Sequence, residues 1–145
     1  MPKQIRFLIN MKNPGMRILQ PKARGEWAEL RFMTRAAEHG LRVTKPWGEN
    51  APYDFAVEYN GHFLRVQVKC TCKKRLQSYV CSVSNSRGPY SSAQIDFVAA
   101  YVIPTNTWYI LPITALRRSF DVWLTPNRKN SRYAEFLEAW HLLKR

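Results

Sequence analysis

Acidic residues are scarce in this chain of 145 residues, which has 10 Asp and Glu against 23 Lys and Arg and a formal net charge of +13. So basic a domain usually has a polyanion as its partner, and nucleic acid is the common one. An anionic membrane surface would also attract this charge. A soluble basic protein without such a partner is the third alternative, so charge alone does not decide the function.

Cysteine is sparse as well, with only Cys70, Cys72 and Cys81. Three thiols cannot all pair, and two of them lie in one predicted strand, which predicts reduced thiols in a cytoplasmic protein. The C-x-C pair lacks the second ligand pair of a zinc site, and His62 is the one histidine near it in sequence. We therefore expect buried structural thiols.

Long uninterrupted hydrophobic runs are missing. The apolar patch at residues 7–9 is too short for a signal peptide. Residues 97–116 carry no charge over the length of a membrane span, but Pro104 and Pro112 interrupt them. Two β-strands around a turn explain this segment better than a helix does, so no membrane segment is predicted.

The composition indicates one packed domain. Hydrophobic residues make up 46% of a chain that is long enough to bury its own core, and neither a repeat nor a low-complexity segment is visible. Residues 1–20 are basic and weakly patterned, which predicts either a flexible arm that contacts phosphates or a ragged terminus. Residues 21–145 are predicted to form the single domain.

The spacing of apolar residues predicts an α/β or α+β domain. A helix is predicted over residues 24–39, because Gly40 is a suitable left-handed residue to end it. A second helix is predicted from Asn130 or Ser131, with an apolar stripe of Tyr133, Phe136, Leu137, Trp140 and Leu143. Strands are predicted over residues 41–45, 53–59, 62–72, 79–83, 96–103 and 107–111.

The first predicted helix carries two acids in an unusual place. Glu26 and Glu29 fall within its apolar arc, which consists of Leu30, Phe32, Met33, Ala36 and Ala37. Carboxylates are seldom buried without a partner. Trp27 falls on the polar side, and together with Trp47 and Trp123 it leaves open a basic subunit that docks on a protein partner.

The dipeptide Asn60-Gly61 is the strongest short hairpin signal in the chain. Counting facing residues back from a two-residue turn pairs Asp54 with Gln67. Because side chains alternate, one face of the hairpin is predicted to be a core face of Phe55, Val57, Leu64, Val66 and Val68. The opposite face carries Asp54, Gln67 and Lys69.

An acid, an amide and an ammonium are thus expected to converge, since opposed Cβ atoms lie roughly 5 Å apart and diagonal ones roughly 7 to 8 Å. An ordinary solvated sheet face would carry the same residue types. A β-bulge would shift the register.

The segment Pro52-Tyr53-Asp54, followed after 12 residues by Gln67-Val68-Lys69, resembles the signature of PD-(D/E)XK nucleases, with Gln67 where that family usually has Asp or Glu. Gly25 and Glu29 resemble the G-x-x-x-E helix motif of archaeal Holliday-junction resolvases. The Gln-x-Lys variant is similar to that of intron-encoded homing endonucleases. The resemblance implies an α/β, restriction-endonuclease-like three-layer core, with a mixed central β-sheet flanked by helices.

The resemblance also implies Mg²⁺-dependent hydrolysis of DNA, with Mn²⁺ able to substitute. The implied ligands are Asp54, the Gln67 amide, the Val68 backbone carbonyl and Glu29, directly or through a water. Lys69 would position the attacking water or stabilise developing negative charge. Because Gln67 lacks a charge, the metal should bind more weakly, and a non-catalytic nucleic-acid-binding module with a degenerate site is the alternative.

Basic residues beside this motif are expected to grip double-stranded or branched DNA. The predicted contacts are Thr71, Lys73, Lys74, Arg75 and, in the loop of residues 84–94, Arg87. The clusters at residues 117–118 and 128–132 either bind phosphates or are simply solvated. Asp96 is expected to cap a turn rather than to act in catalysis. A homodimer or homotetramer is expected by analogy only, and a homing role and a restriction role both remain open.

Overall fold

The computed structural model describes residues 14–145, so most of the predicted arm lies outside the described residues. The turn Pro14–Arg17 packs on the domain, where a Cβ atom on Gly15 would lie 2.2 Å from the ring of Trp27. Glycine is therefore needed at this contact. No helix within residues 14–145 combines the length and the apolar character that crossing a bilayer demands.

Helix α1, Pro21–Glu38, confirms the first predicted helix and begins three residues earlier. Proline suits the first helical position, because the N–H that it lacks would have no partner there. The helix ends at Gly40, whose φ is +75°. Hydrogen bonds from Gly40 N–H to Ala37 O (2.9 Å) and from Leu41 N–H to Ala36 O (3.0 Å) satisfy the last carbonyls.

The buried face of α1 is narrower than its sequence predicts. Leu30, expected in the apolar arc, is 59% exposed, whereas Trp27, expected on the polar side, is half-buried with its ring 5.7 Å from that of Tyr101. Trp27 therefore belongs to the core contact and does not support a docking surface. The residues of α1 that are buried follow one another at one-turn intervals: Ala28, Phe32 and Ala36.

Five strands form the central sheet: β1 (Arg42–Thr44), β2 (Phe55–Tyr59), β3 (His62–Thr71), β8 (Phe97–Val102) and β9 (Thr107–Pro112). Their order across the sheet is β1-β2-β3-β8-β9. The sheet is mixed, because β3 and β8 are parallel and the other neighbours are antiparallel.

The remaining strands are short: β4 (Lys74–Arg75), β5 (Ser78–Ser82), β6 (Ser84–Asn85), β7 (Gly88–Pro89) and β10 (Asp121–Leu124). Three of them form a second sheet in the order β10-β5-β4, and β6 pairs with β7.

The hairpin of β2 and β3 has the predicted register, from Tyr59 opposite His62 to Phe55 opposite Val66. Asn60 and Gly61 have φ of +50° and +79°. Positive φ at both central residues is the requirement of the type I′ turn that matches strand twist. The predicted core face is confirmed, with Phe55, Val57 and Val66 fully buried.

The predicted α/β three-layer core is confirmed, although helices do not cover both faces of the central sheet. Helix α1 and Trp140 pack on one face. The other face is covered by the second sheet and by Leu116 of the short helix α2, Ile113–Leu116. Strand β10 was not predicted, because its alternation of buried Val122 and Leu124 with exposed residues spans only four positions.

The predicted C-terminal helix is wrong. The segment forms two short 3₁₀ turns, Ala134–Phe136 and Trp140–Leu143, separated by Glu138 with a φ of +52°. Glu138 N–H donates to Trp108 O (2.7 Å), and the Glu138 carboxylate accepts from Trp108 N–H (3.0 Å). The chain therefore leaves the helical path to satisfy the open backbone groups of edge strand β9.

All three cysteines are free thiols, as predicted, but of the three expected to be buried only Cys81 is, and Cys70 and Cys72 are half-buried. Burial raises the pKa of the Cys70 thiol, and it raises the pKa of Cys81 to about 12. Both thiols are therefore neutral at physiological pH, which fits a structural role.

Candidate active site

Asp54 lies one residue before β2, where its side chain turns toward β3. Its backbone N–H donates to Val66 O (3.0 Å), although Val66 already faces Phe55. The regular ladder therefore ends at Phe55 and does not include the predicted pair of Asp54 and Gln67. Its carboxylate Oδ2 accepts a hydrogen bond from Val68 N–H (2.7 Å). The acid is thus anchored to the strand that carries Gln67 and Lys69, and its other oxygen is left for another partner.

The pKa of Asp54 is raised to about 6. Burial is the main cause, because it penalises the charged form, and the nearby carboxylate of Glu29 raises the pKa further. The hydrogen bond from Val68 and the positive charges of Lys69 and Lys45 oppose this rise without cancelling it. The surroundings of Asp54 therefore supply too little positive charge for its ionised form.

Glu29 projects from α1 toward the same cleft. Its side chain is 24% exposed, and its Oε2 lies 2.8 Å from the Lys45 ammonium. Glu26, Glu29, Lys45 and Asp54 all line this cleft, whose volume is about 290 Å³. The two acids that the helix pattern placed in an apolar arc thus border a polar cleft beside Asp54.

Lys45 was missed by the sequence analysis, where it only ended a strand. In the structure it lies between helix and sheet, with its ammonium paired to Glu29 and 5.3 Å from the centre of the Phe55 ring. A lysine at the end of a short strand carries no sequence signal for such a contact, because it depends on how α1 packs against the sheet.

Lys69 extends from the other face of β3. Its ammonium donates to Ser84 O (3.2 Å) and lies 5.5 Å from the centre of the Tyr90 ring. Gln67, two residues earlier, is half-buried on the same face. Lys69 is near enough to Asp54 for its positive charge to oppose the rise of that pKa. Ser84 and Tyr90 hold the ammonium in place, and the convergence of acid and ammonium with the Gln67 amide stays a prediction.

The donors around Asp54 are few but suitable for a hard cation. Within residues 14–145 no group of three or more His, Cys, Asp or Glu side chains is placed to hold a metal ion. The carboxylates of Asp54 and Glu29 line one cleft, and Mg²⁺ prefers such oxygen ligands. The raised pKa of Asp54 is the mark of a site short of positive charge, which a divalent ion would supply.

Thr71 is placed differently from the other expected DNA contacts. It is only 6% exposed, and its hydroxyl donates to Val80 O and accepts from Lys73 N–H. Because the hydroxyl is used within the fold, this position does not favour a phosphate contact. The side chains expected to grip DNA that are exposed are Lys73, Lys74, Arg75 and Arg87.

Asp96 does not cap a turn. Its carboxylate accepts hydrogen bonds from the backbone N–H of Arg65 (2.7 Å) and from the Arg65 guanidinium (3.1 Å). These bonds lower the pKa of Asp96, although burial opposes them. Asp96 thus joins β3 to the start of β8 and has its own cation.

Comparisons with known proteins agree with this fold. The family model of PD-(D/E)XK endonucleases matches residues 19–143. Among solved structures, the bacterial homing endonuclease I-Ssp6803I is similar, with 29% sequence identity and a TM-score of 0.74 over 86% of this chain and 91% of that chain. A search of curated proteins finds no match.

Proposed function

This chain belongs to the PD-(D/E)XK endonuclease family, and on that premise we propose that it is a metal-dependent endonuclease that hydrolyses phosphodiester bonds of DNA. The observation that carries the proposal is the position of Asp54. It is a carboxylate that is anchored to β3 by the Val68 N–H and lines one cleft with Glu29, and its raised pKa is opposed by the nearby charge of Lys69.

The proposed ligands of the metal ion are Asp54, Glu29, the Gln67 amide oxygen and the Val68 carbonyl. Val68 is supported by strand geometry, because the N–H and C=O of one strand residue point to the same side of the strand. The Val68 N–H points to Asp54, so its carbonyl faces the same space. Mg²⁺ is the expected ion and Mn²⁺ the expected substitute, since all of these donors are oxygens.

When bound, the ion would polarise the scissile phosphate and lower the pKa of a bound water. Lys69 would hold its ammonium beside the phosphate, where it stabilises negative charge that develops in the transition state. Ser84 and Tyr90 keep that ammonium in one orientation. The Glu29 carboxylate would then contact two cations, the ion and the Lys45 ammonium, because the ammonium contacts this carboxylate directly.

DNA as the substrate is supported by the net charge of +13 and by the exposed lysines and arginines beyond Lys69. Lys73, Lys74 and Arg75 follow Lys69 along the chain and would contact phosphates, giving a binding affinity that falls with salt. Arg87, at the tip of the β6–β7 hairpin, would add a contact. Cutting both strands of a duplex would require two such sites, which a homodimer or homotetramer would supply.

The test is cleavage of supercoiled plasmid, a branched junction and single-stranded DNA with Mg²⁺, with Mn²⁺ and with EDTA. We expect cutting with either metal, none with EDTA, and none by Asp54→Ala or Lys69→Ala. Glu58→Ala is the matched control, because Glu58 is an acid of the same hairpin that pairs with Arg42. Metal-dependent cutting that survives both site substitutions would refute the assignment.

A non-catalytic DNA-binding module is the second candidate, and Gln67 is the residue that favours it. An amide in place of a carboxylate removes one negative charge from the metal ligands, which weakens metal binding. This candidate predicts salt-sensitive DNA binding without cutting, and recovery of cutting by Gln67→Glu.

A further inference from the structure

Tyr90 also lines a second cleft, which has a volume of about 280 Å³. Tyr90 is 5% exposed, and its ring centre lies 5.5 Å from the Lys69 ammonium. Ile113, three residues with hydroxyl groups and two arginines complete the lining of the cleft: Ser91, Ser92, Thr114, Arg117 and Arg118. We call it the arginine cleft.

The sheet places the arginine cleft at the same end as Asp54. Val66, one residue before Gln67, pairs with Phe97, and Phe97 pairs with Pro112 at the end of β9. Helix α2 and the two arginines follow Pro112 directly. A nucleic-acid strand leaving Lys69 across this end of the sheet would therefore meet the arginine cleft next.

Both arginines have an unfavourable backbone conformation. Their φ values are +48° for Arg117 and +57° for Arg118, in the left-handed region where a Cβ atom is crowded and glycine is usual. The backbone is held there from both sides. Ser119 N–H donates to Leu116 O (2.9 Å), and Val83 N–H donates to Phe120 O (2.8 Å). Strained residues held in this way concentrate at binding and catalytic sites.

The guanidinium groups of Arg117 and Arg118 are exposed and, within residues 14–145, form no salt bridge or side-chain hydrogen bond. No carboxylate lines the arginine cleft. By contrast, Arg65 and Arg35 each have an acid within 4 Å. Among the described residues the two arginines of the cleft thus have no acid within 4 Å, although Glu135 lines a neighbouring cleft together with Arg117.

Hydrogen bonds hold the segment that brings Ser91 and Ser92 to the cleft. The Arg65 guanidinium donates to Ala93 O (2.7 Å) and to Ser92 O (2.8 Å). Ser91 N–H donates to the Gln94 side chain (3.0 Å). A cleft lined by two arginines and by residues with hydroxyl groups suits an anion with several acceptor oxygens, and a phosphate group fits this description.

We propose that the arginine cleft binds a backbone phosphate of the DNA strand that passes Lys69, outside the scissile position, and that Arg117 and Arg118 position the DNA. This inference rests on the proposed function. Phosphate contacts fix the register of a duplex without reading its sequence. The strain at the two arginines then persists because glycine, which would relieve it, cannot bind the phosphate.

The test compares the double variant R117G/R118G with the unaltered protein in two measurements. Glycine relieves the strain, so we expect a higher melting temperature. Glycine also removes both charges, so we expect duplex DNA binding, measured with Ca²⁺ in place of Mg²⁺, to weaken by about tenfold or more at moderate salt. The slope of log K against log salt should become shallower by roughly 1, since each phosphate contact adds about 0.9.

Three further variants isolate the cause. R117Q/R118Q keeps the strain and the aliphatic stems but should lose as much affinity as the glycine variant. R42Q removes an exposed charge on β1, and L76G relieves a positive φ of +52° at the tip between β4 and β5; both should bind DNA normally. Mn²⁺ binding without DNA should be unchanged in R117G/R118G, because the proposed metal ligands are intact.

Unchanged affinity and salt slope in both double variants would overturn the proposal and leave the nuclease assignment standing. A similar loss of affinity in R42Q would also overturn it, since the effect would then be one of net charge. If the unaltered protein bound no DNA in salt-dependent form, the proposed function itself would fail, and the arginine cleft with it.

Discussion

Asp54 and Asp96 flank the same strand, β3, and each accepts a hydrogen bond of 2.7 Å from a backbone N–H of that strand. Their pKa values nevertheless move in opposite directions: that of Asp54 rises to about 6 and that of Asp96 falls. Burial raises both. The backbone contact therefore cannot explain the difference between the two acids.

The difference lies in the cations that each acid has. The Arg65 guanidinium bonds both oxygens of Asp96 and outweighs the effect of burial. Asp54 has a second acid, Glu29, nearby, and Lys69 and Lys45 offset this only in part. Asp96 is a structural acid that has its own cation, whereas the position beside Asp54 is suited to a cation that comes from solution.

The largest expected effect that separates the two acids is on cleavage. Asp54→Asn should reduce the single-turnover cleavage rate with saturating Mg²⁺ by about a thousandfold or more, because it removes the charged metal ligand. Asp96→Asn should keep the rate within about tenfold. Near-normal cutting by Asp54→Asn would show that Asp54 is not the ligand.

The second effect is on stability and has opposite signs for the two acids. In EDTA at pH 7, Asp54→Asn should raise the free energy of unfolding by about 1 to 3 kcal/mol, because it removes a charge that burial disfavours. Asp96→Asn should lower it by about 1 to 2 kcal/mol, because Arg65 loses its partner. Urea unfolding measures both. Destabilisation by both substitutions would contradict the comparison.

Much of the region around Asp54 could be predicted from sequence, because its geometry is local. The turn at residues 60–61 determines the pairing of β2 with β3, and strand alternation then assigns each side chain to a face. Helix α1 was predictable for the same reason, since Gly40 ends it within its own sequence.

Features that depend on distant segments could not be predicted. The stripe from Tyr133 to Leu143 has helical spacing, but Glu138 pairs instead with Trp108, thirty residues earlier. Lys45 contacts Glu29 only because α1 packs beside β1. The hydroxyl of Thr71 is used by β5, whose position depends on the second sheet. Each of these contacts competes with local propensity and prevails through tertiary packing.

A smaller effect concerns Lys45, which supplies part of the positive charge near Asp54. Lys45→Ala should tighten Mn²⁺ binding in the absence of DNA by about tenfold, equal to about 1.4 kcal/mol, because a competing cation leaves Glu29. Isothermal titration calorimetry measures the affinity. Arg42→Ala, which removes the arginine paired with Glu58, is the control and should not change it. Weaker binding by Lys45→Ala would mean that Lys45 orients Glu29 for the metal instead.

The smallest effect is the pH dependence of the stability difference between Asp54→Asn and the unaltered protein without metal. The folded-state pKa of Asp54, about 6, lies above the ordinary aspartate value of 3.8. Its contribution to stability is therefore fully present below pH 3.8 and is lost as pH rises through 6. The gain in free energy of unfolding that Asp54→Asn brings over the unaltered protein should be near zero below pH 3.8. It should grow by about 1 kcal/mol between pH 5 and pH 7 and level off above that.

Asp96→Asn should show the reverse profile. Because the pKa of Asp96 is lowered in the folded state, its contribution to stability is present above the ordinary aspartate pKa and is lost as pH falls through the folded-state pKa. The loss in free energy of unfolding caused by Asp96→Asn should thus be constant from pH 5 to pH 7 and become smaller only at acidic pH. Urea unfolding at intervals of half a pH unit resolves the two profiles. If the difference in free energy of unfolding between Asp54→Asn and the unaltered protein stayed constant from pH 4 to pH 7, Asp54 would have an ordinary pKa. The contrast between the two acids would then be lost.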